Sequence, residues 1–189
     1  RIESSAASDV YKRQILTKSK LFIDDTPGLS PSELISRARK VKRENPDLGL
    51  IIIDYLQLMN SDRNSENRVS EMSEISRSVK SLARDLDITV IALSQLNRAV
   101  ENRNNKRPLM SDLRESGALE QDADLVAFVY RDEYYNETPE NKGLAEVNIA
   151  KHRNGKTGKV KLHFASNIIK FENLADNDPA MSIPMNYED

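Results

Sequence analysis

The chain has 189 residues, with 28 Lys and Arg against 30 Asp and Glu, a net charge of −2, 38% hydrophobic residues and no cysteine. That length carries one compact domain with its own core, and the near-neutral balance means that any basic site must be local. Without cysteine there is no disulfide framework or thiolate metal centre, and no stretch approaches the roughly 18 apolar residues of a membrane span; a cytoplasmic location fits best.

The opening RIESSAASDVYKRQ has no sustained apolar period and is expected to be a non-native or disordered leader over residues 1–14. The plausible core runs over 15–174. KLFID, Lys20–Asp24, reads as a short strand ending in the turn DTPG. A helix opens at Ser30, with Pro31 at its first position and Glu33 three residues after the cap. This is a capping box with Pro where its missing N–H costs nothing. LGLIIIDYLQLM, Leu48–Met59, reads as a strand apolar on both faces that ends abruptly on Asp54. Val69, Met72, Ile75, Val79, Leu82 and Leu86 recur at helical spacing on a long amphipathic helix.

ITVIALSQ, Ile88–Gln95, and ADLVAFVY, Ala123–Tyr130, read as two further buried strands. LAEVNIAKHRNGKTGKVKLHF alternates in two arms around Asn154 and Gly155, a hairpin signature, and Ile168–Phe171 is a candidate last strand. The tail, 175–189, is acidic and expected to be flexible. Strands alternating with helices and closing on a hairpin give an α/β fold with a mainly parallel sheet, whose ligands belong at the carboxyl ends of the strands.

Asp54 stands at such an end. An aliphatic strand finishing on an acid has the form of a Walker B element, whose Asp holds Mg²⁺ against nucleotide phosphates. The pattern alone leaves this open against a helix cap or turn acid. Ser94, Gln95 and Asn97 end the next strand, where a polar trio either orients water near a γ-phosphate or begins a hydrogen-bonded loop. From Asn97 to Arg114 the chain carries Arg98, Arg103, Lys106, Arg107 and Arg114 against Glu101 and Asp112. It reads as a mobile basic loop, either phosphate-binding or simply solvated. No aromatic is interleaved, which points to backbone contact rather than base stacking. His152 and His163 read as solvated surface histidines. GKTGK at Gly155–Lys159 is a decoy: a phosphate loop needs Gly at position 150, which is Ala150, and a helix after Thr157 where the sequence alternates as a strand.

Taken together, IIIDYLQLM, EISRSVKSLARDL, ALSQLNRAVENR, KRPLMSDLRESGALEQDADLV, YRDEYY and AKHRNGKTGKVKLHF, in this order and spacing, closely resemble the C-terminal motor domain of bacterial replicative DNA helicases, the DnaB family. The resemblance covers about Ile15 to Leu174. It implies a RecA-like ATPase fold, assembled as a homohexameric ring that moves 5′ to 3′ on single-stranded DNA using ATP and Mg²⁺, with primase and a helicase loader as partners of the full-length protein. It implies that Asp54 is the Walker B residue and metal ligand, and that Gln95 is the glutamine after the next strand. Arg114, Glu115 and Gly117 match the stretch that touches the DNA backbone. Lys151 and Arg153 match the hairpin pair that reaches into the neighbouring subunit's ATP site. Family members often carry Gln where this chain has His152.

The family's Walker A loop, the catalytic glutamate after it and the primase-binding N-terminal domain are expected upstream of Ile15. The chain therefore reads as the back half of an ATPase, inactive towards ATP by itself. The near alternative is a RecA-type recombinase or related ring ATPase, which shares Walker B and strand order. A different class is a non-catalytic DNA-binding module.

Overall fold

The structure, a computed structural model, describes residues 19–62 and 67–174, and of residues 114–116 the backbone alone. The expected leader and tail lie outside the described residues. Helix α1 spans Pro31–Glu44 and begins as its sequence demands. Ser30 Oγ accepts from the Glu33 N–H at 3.4 Å, and the Glu33 carboxylate accepts from the Ser30 N–H at 3.0 Å. Two of the four orphan donors of the first turn are thereby satisfied.

Strand β1, Leu50–Ile53, and strand β2, Thr89–Ala92, pair in parallel, with Leu50 opposite Thr89 and Ile53 opposite Ala92. Helix α2, Arg68–Leu86, is the crossover between them. After β1 the chain makes a one-turn 3-10 segment, Leu56–Leu58. Here Leu56 and Met59 drop into the core against Met72 and Ile75 of α2, with Leu34, Ile53, Val79 and Leu119 packed around them.

The second sheet is a four-stranded antiparallel meander in the order β3, β4, β5, β6, spanning Leu125–Tyr130, Leu144–His152, Gly158–Ala165 and Lys170–Asn173. A short helix α3, Gly117–Asp122, precedes it. No helix among the described residues is long and apolar enough to cross a membrane.

The α/β pattern, the long helix and the terminal hairpin stand where the sequence predicts them, and four details differ. Lys20–Asp24 has no strand partner among the described residues, and Leu21, Phe22 and Ile23 are exposed. Strand β1 is covered on one face among the described residues: Leu50 and Ile52 point outward and remain exposed, as does Ile91 opposite Ile52. Strand β3 pairs antiparallel to β4, because Arg131–Gly143 holds only a 3-10 turn and no helical crossover. The parallel part of the described fold is thus the pair β1 and β2. Strand β6 starts two residues later than expected, after a turn with Ile169 at φ 50°.

Ile75 is 0% exposed and sits at the centre of the α2 contact. Ile75→Ala is expected to lose about 2–5 kcal/mol through lost burial and a residual cavity. Val69→Ala, on the exposed side of the same helix, should stay within about 0.5 kcal/mol. Urea denaturation of the two variants separates these outcomes.

Candidate functional site

The parallel ladder continues past the ends of its strands. The Leu93 N–H donates to the Ile53 carbonyl at 2.9 Å, and the Leu56 N–H to the Leu93 carbonyl at 3.0 Å. Asp54 and Gln95 are thereby brought to the same carboxyl edge. Both are exposed, and no hydrogen bond or ion pair among the described residues engages the Asp54 carboxylate.

The Gln95 backbone is held by Gln57, a residue to which sequence reading assigned no role. Its Nε2 donates to Ser94 Oγ at 2.9 Å and to the Gln95 carbonyl at 3.1 Å, while its Oε1 accepts from the Gln95 N–H at 3.2 Å. The Gln57 carbonyl is held in turn by the Arg68 guanidinium at 2.6 Å, and Arg68 is paired with Glu71 one turn along α2. The only sequence signal for this was a polar residue three positions after Asp54.

The hairpin residues stand on the other sheet. The register between β3 and β4 shifts so that Val126 faces Lys151 while Ala127 faces Ile149, leaving Ala150 as a bulge immediately before Lys151. A bulge bends its strand and re-aims the side chains beside it. Lys151 Nζ donates to the Glu120 and Gln121 carbonyls at 2.6 and 3.2 Å. Arg153 donates to the Gln121 carbonyl at 2.7 Å and to Asp124 at 3.2 Å. Two cations therefore cover the last carbonyls of α3, where unpaired C=O groups and the helix dipole favour positive charge. Asp124 is also bound by Lys80, and that bond, ahead of the nearby Arg153 charge, lowers its pKa below the ordinary carboxylate value. Lys151 and Arg153 meet at the Gln121 carbonyl and lie apart from the β1–β2 sheet that carries Asp54 and Gln95.

The backbone of Arg114 and Glu115 lies in a 3-10 stretch, Met110–Ser116, which runs directly into α3 at Gly117; their side chains lie outside the described part. Gly117 is exposed at φ −53°, ψ −26°, and a Cβ there would meet no atom within 4 Å. Neither backbone strain nor internal packing calls for glycine at this position.

The basic loop before it is more ordered than the sequence suggests. Asp112 is buried and accepts from Arg103 at 2.7 Å and from the Leu109 N–H at 2.8 Å. Arg107 makes a two-pronged pair with Glu146 of β4 at 2.7 and 2.9 Å and lies 4.8 Å over the Tyr130 ring. The Glu146 bonds raise the Arg107 pKa, and burial beside Asp132 raises that of Tyr130. Lys106 is held by the Glu101 and Arg103 carbonyls and lies 5.6 Å over the Tyr135 ring. Three of the five cations of this loop are therefore engaged internally. Of the histidines, His163 is exposed as expected, whereas His152 is half-buried with its ring against Gly155. Among the described residues no cluster of three His, Asp or Glu could hold a metal ion.

The family model for the DnaB-like helicase C terminal domain matches residues 2–173. The chain belongs to that family. It is 58% identical over 159 residues to the replicative DNA helicase DnaB of Pasteurella multocida, covering 84% of this chain and 34% of that protein. It is 54% identical over 170 residues to the Geobacillus stearothermophilus DnaB, covering 89% and 37%. The chain thus spans little more than a third of the length of these relatives. Two solved structures, one of an ATPase domain and one of a DnaB-like replicative helicase described with its interactions with primase, each superpose with a TM-score of 0.81 at 48% identity over 85% of this chain. They cover 57% and 39% of the neighbour respectively. The fold is the RecA-like α/β class of these DnaB-type domains.

The Asp124 contacts give a pH dependence. Because the folded pKa of Asp124 is lowered, its contribution to stability is full above the unfolded carboxylate value, about 4, and is lost as pH falls through the folded value. Asp124→Asn should therefore be less stable than the parent at neutral pH, with the gap closing in acid. Denaturation midpoints of both proteins from about pH 7 to about pH 3 test this; a constant gap would contradict it.

Proposed function

We propose that this chain is part of the motor of an ATP-driven replicative DNA helicase, which works in the cytoplasm as a homohexameric ring moving 5′ to 3′ on single-stranded DNA. The observation that carries the proposal is the shared carboxyl edge of β1 and β2 in a DnaB-family fold, with Asp54 unengaged among the described residues and the Gln95 backbone fixed. Primase and a loader are proposed as partners of the full-length protein, in keeping with the primase interactions described for the structural neighbour.

An exposed carboxylate with no ligand cluster around it among the described residues fits Mg²⁺, which keeps several waters and takes further oxygens from phosphate. Asp54 is the residue that would hold such a cation from the strand end, and the cation would supply charge neutralisation for the nucleotide's phosphates. Gln95 orients the attacking water at the same edge. Lys151 and Arg153 leave the α3 carbonyls and reach from their hairpin towards the neighbouring subunit's γ-phosphate, where a guanidinium stabilises charge as it develops. Arg114, Glu115 and Gly117 contact the DNA backbone. The open space around Gly117 supports that reading, since a glycine with no internal reason leaves room for a phosphate to approach the backbone closely.

In the full-length protein, Asp54→Asn should keep the fold and lose Mg²⁺-dependent hydrolysis. Near-normal ATPase would rule out the metal role.

Arg153→Ala should lower hydrolysis by about 10³-fold or more. Rings mixing Arg153→Ala with Asp54→Asn subunits should regain part of the activity, since some interfaces then pair an intact Asp54 with an intact Arg153. Mixed rings confirmed by mass but no more active than either parent would leave Arg153 outside the neighbour's site.

Arg114→Ala should weaken single-strand binding alike for all sequences and reduce the salt dependence by about one phosphate's worth. A loss confined to certain sequences would point to base reading instead.

A further inference from the structure

The exposed side chain of Gln95 has a backbone fixed by an unusual partner. Strand β2 ends at Ala92, and the last rung of its ladder is the Leu56 N–H on the Leu93 carbonyl. Beyond that rung, parallel pairing would leave the Gln95 N–H and C=O without partners from β1. Gln57 supplies both, its carboxamide accepting from one and donating to the other. A side-chain amide has the same donor and acceptor as a peptide, so it serves here as an additional strand residue. The orientation of the amide follows from the same bonds. Reversed, its oxygen would face the Gln95 carbonyl and its NH₂ would face the Gln95 N–H.

Gln57 is itself placed with little freedom. Its neighbour Leu56 is buried, Met59 is buried two residues on, and Arg68 holds the Gln57 carbonyl. The turn carrying it begins two residues after Asp54. One side chain thus spans from the segment that follows Asp54 to the backbone of Gln95, setting the position of one relative to the other.

We propose that Gln57 is a positioning residue for ATP hydrolysis, holding the Gln95 backbone in register so that the Gln95 side chain stands at the right place beside Asp54. This rests on the role given to Gln95 above. Displacing a catalytic group by about 1 Å costs on the order of a hundredfold in rate, so loss of the clamp is expected to act on turnover rather than on nucleotide affinity.

A double-mutant cycle in the full-length protein tests this, using Gln57→Ala, Gln95→Ala and the pair. The Gln57→Ala change should lower kcat about tenfold to a hundredfold with the KM for ATP and the unfolding midpoint unchanged, and the pair should be no slower than Gln95→Ala alone. In Gln57→Ala the Gln95 amide should exchange faster with solvent, while the Leu93 and Leu56 amides, held by the ladder, keep their protection. Gln57→Glu, which keeps the acceptor but sets a carboxylate against the Gln95 carbonyl, should be at least as slow as Gln57→Ala. Fully additive rate losses, or a fall in the unfolding midpoint without a change in kcat, would overturn the proposal and leave Gln57 a structural residue. If Gln95→Ala turns over ATP normally, the role of Gln95 fails and the inference falls with it. If Gln95→Ala is slow while Gln57→Ala is normal, the inference alone fails.

Discussion

Leu56 and Met59, just beyond Asp54, are buried against Met72 and Ile75 of α2, and the shape of the strand edge depends on that contact. A strand that ended on Asp54 and led into a free loop would leave the acid, and everything after it, without a fixed position. Burying the next turn anchors the chain on the crossover helix within a few residues. From there the consequences are local: Leu56 donates to Leu93, Gln57 clamps Gln95, and Arg68 from the same helix holds the Gln57 carbonyl. Hydrophobic burial is non-directional, so it cannot aim a side chain. Here it fixes the turn, and the directional hydrogen bonds then aim the groups.

The antiparallel sheet uses charge in a similar way. Lys151 and Arg153 cover the final carbonyls of α3, while Ser76 of α2 donates to Asp122 and Lys80 pairs with Asp124. These contacts tie the hairpin, the short helix and the long helix together at one point. The helix held there is the one that begins at Gly117. Residues proposed to read a neighbouring nucleotide and residues proposed to touch DNA are thus joined through one turn of backbone. Most of these pairs are partly exposed, where each contributes little to stability, and their effect is to fix geometry.

The loop between β2 and α3 shows how composition can mislead. Five cations with few apolar neighbours resemble a solvated, phosphate-seeking segment. In the fold, Asp112 is drawn inside and gathers Arg103 and the Leu109 N–H, and Arg107 reaches Glu146 and the face of Tyr130. The two-pronged geometry that suits a guanidinium to phosphate suits it equally to a carboxylate. Sequence alone cannot say which anion it will meet.

The sequence by itself determined whatever depends on residues a few positions apart. The capping box at Ser30 and Glu33, the apolar stripe of α2, the hairpin around Asn154–Gly155 and the aliphatic run ending on Asp54 are all of this kind, because helical and strand periods and turn preferences act over that range. The tertiary structure decided the rest. Gln57 and Gln95 are 38 positions apart, Arg107 and Glu146 39 apart, and Lys151 lies 31 beyond the carbonyl it caps. Each of these polar groups could have satisfied itself with water or another partner, and tertiary packing, such as that of α2 against the turn after β1, set which one it meets. The same holds for the strand expected at Lys20–Asp24: a strand is defined by a neighbour on its ladder, and none of the described residues supplies one.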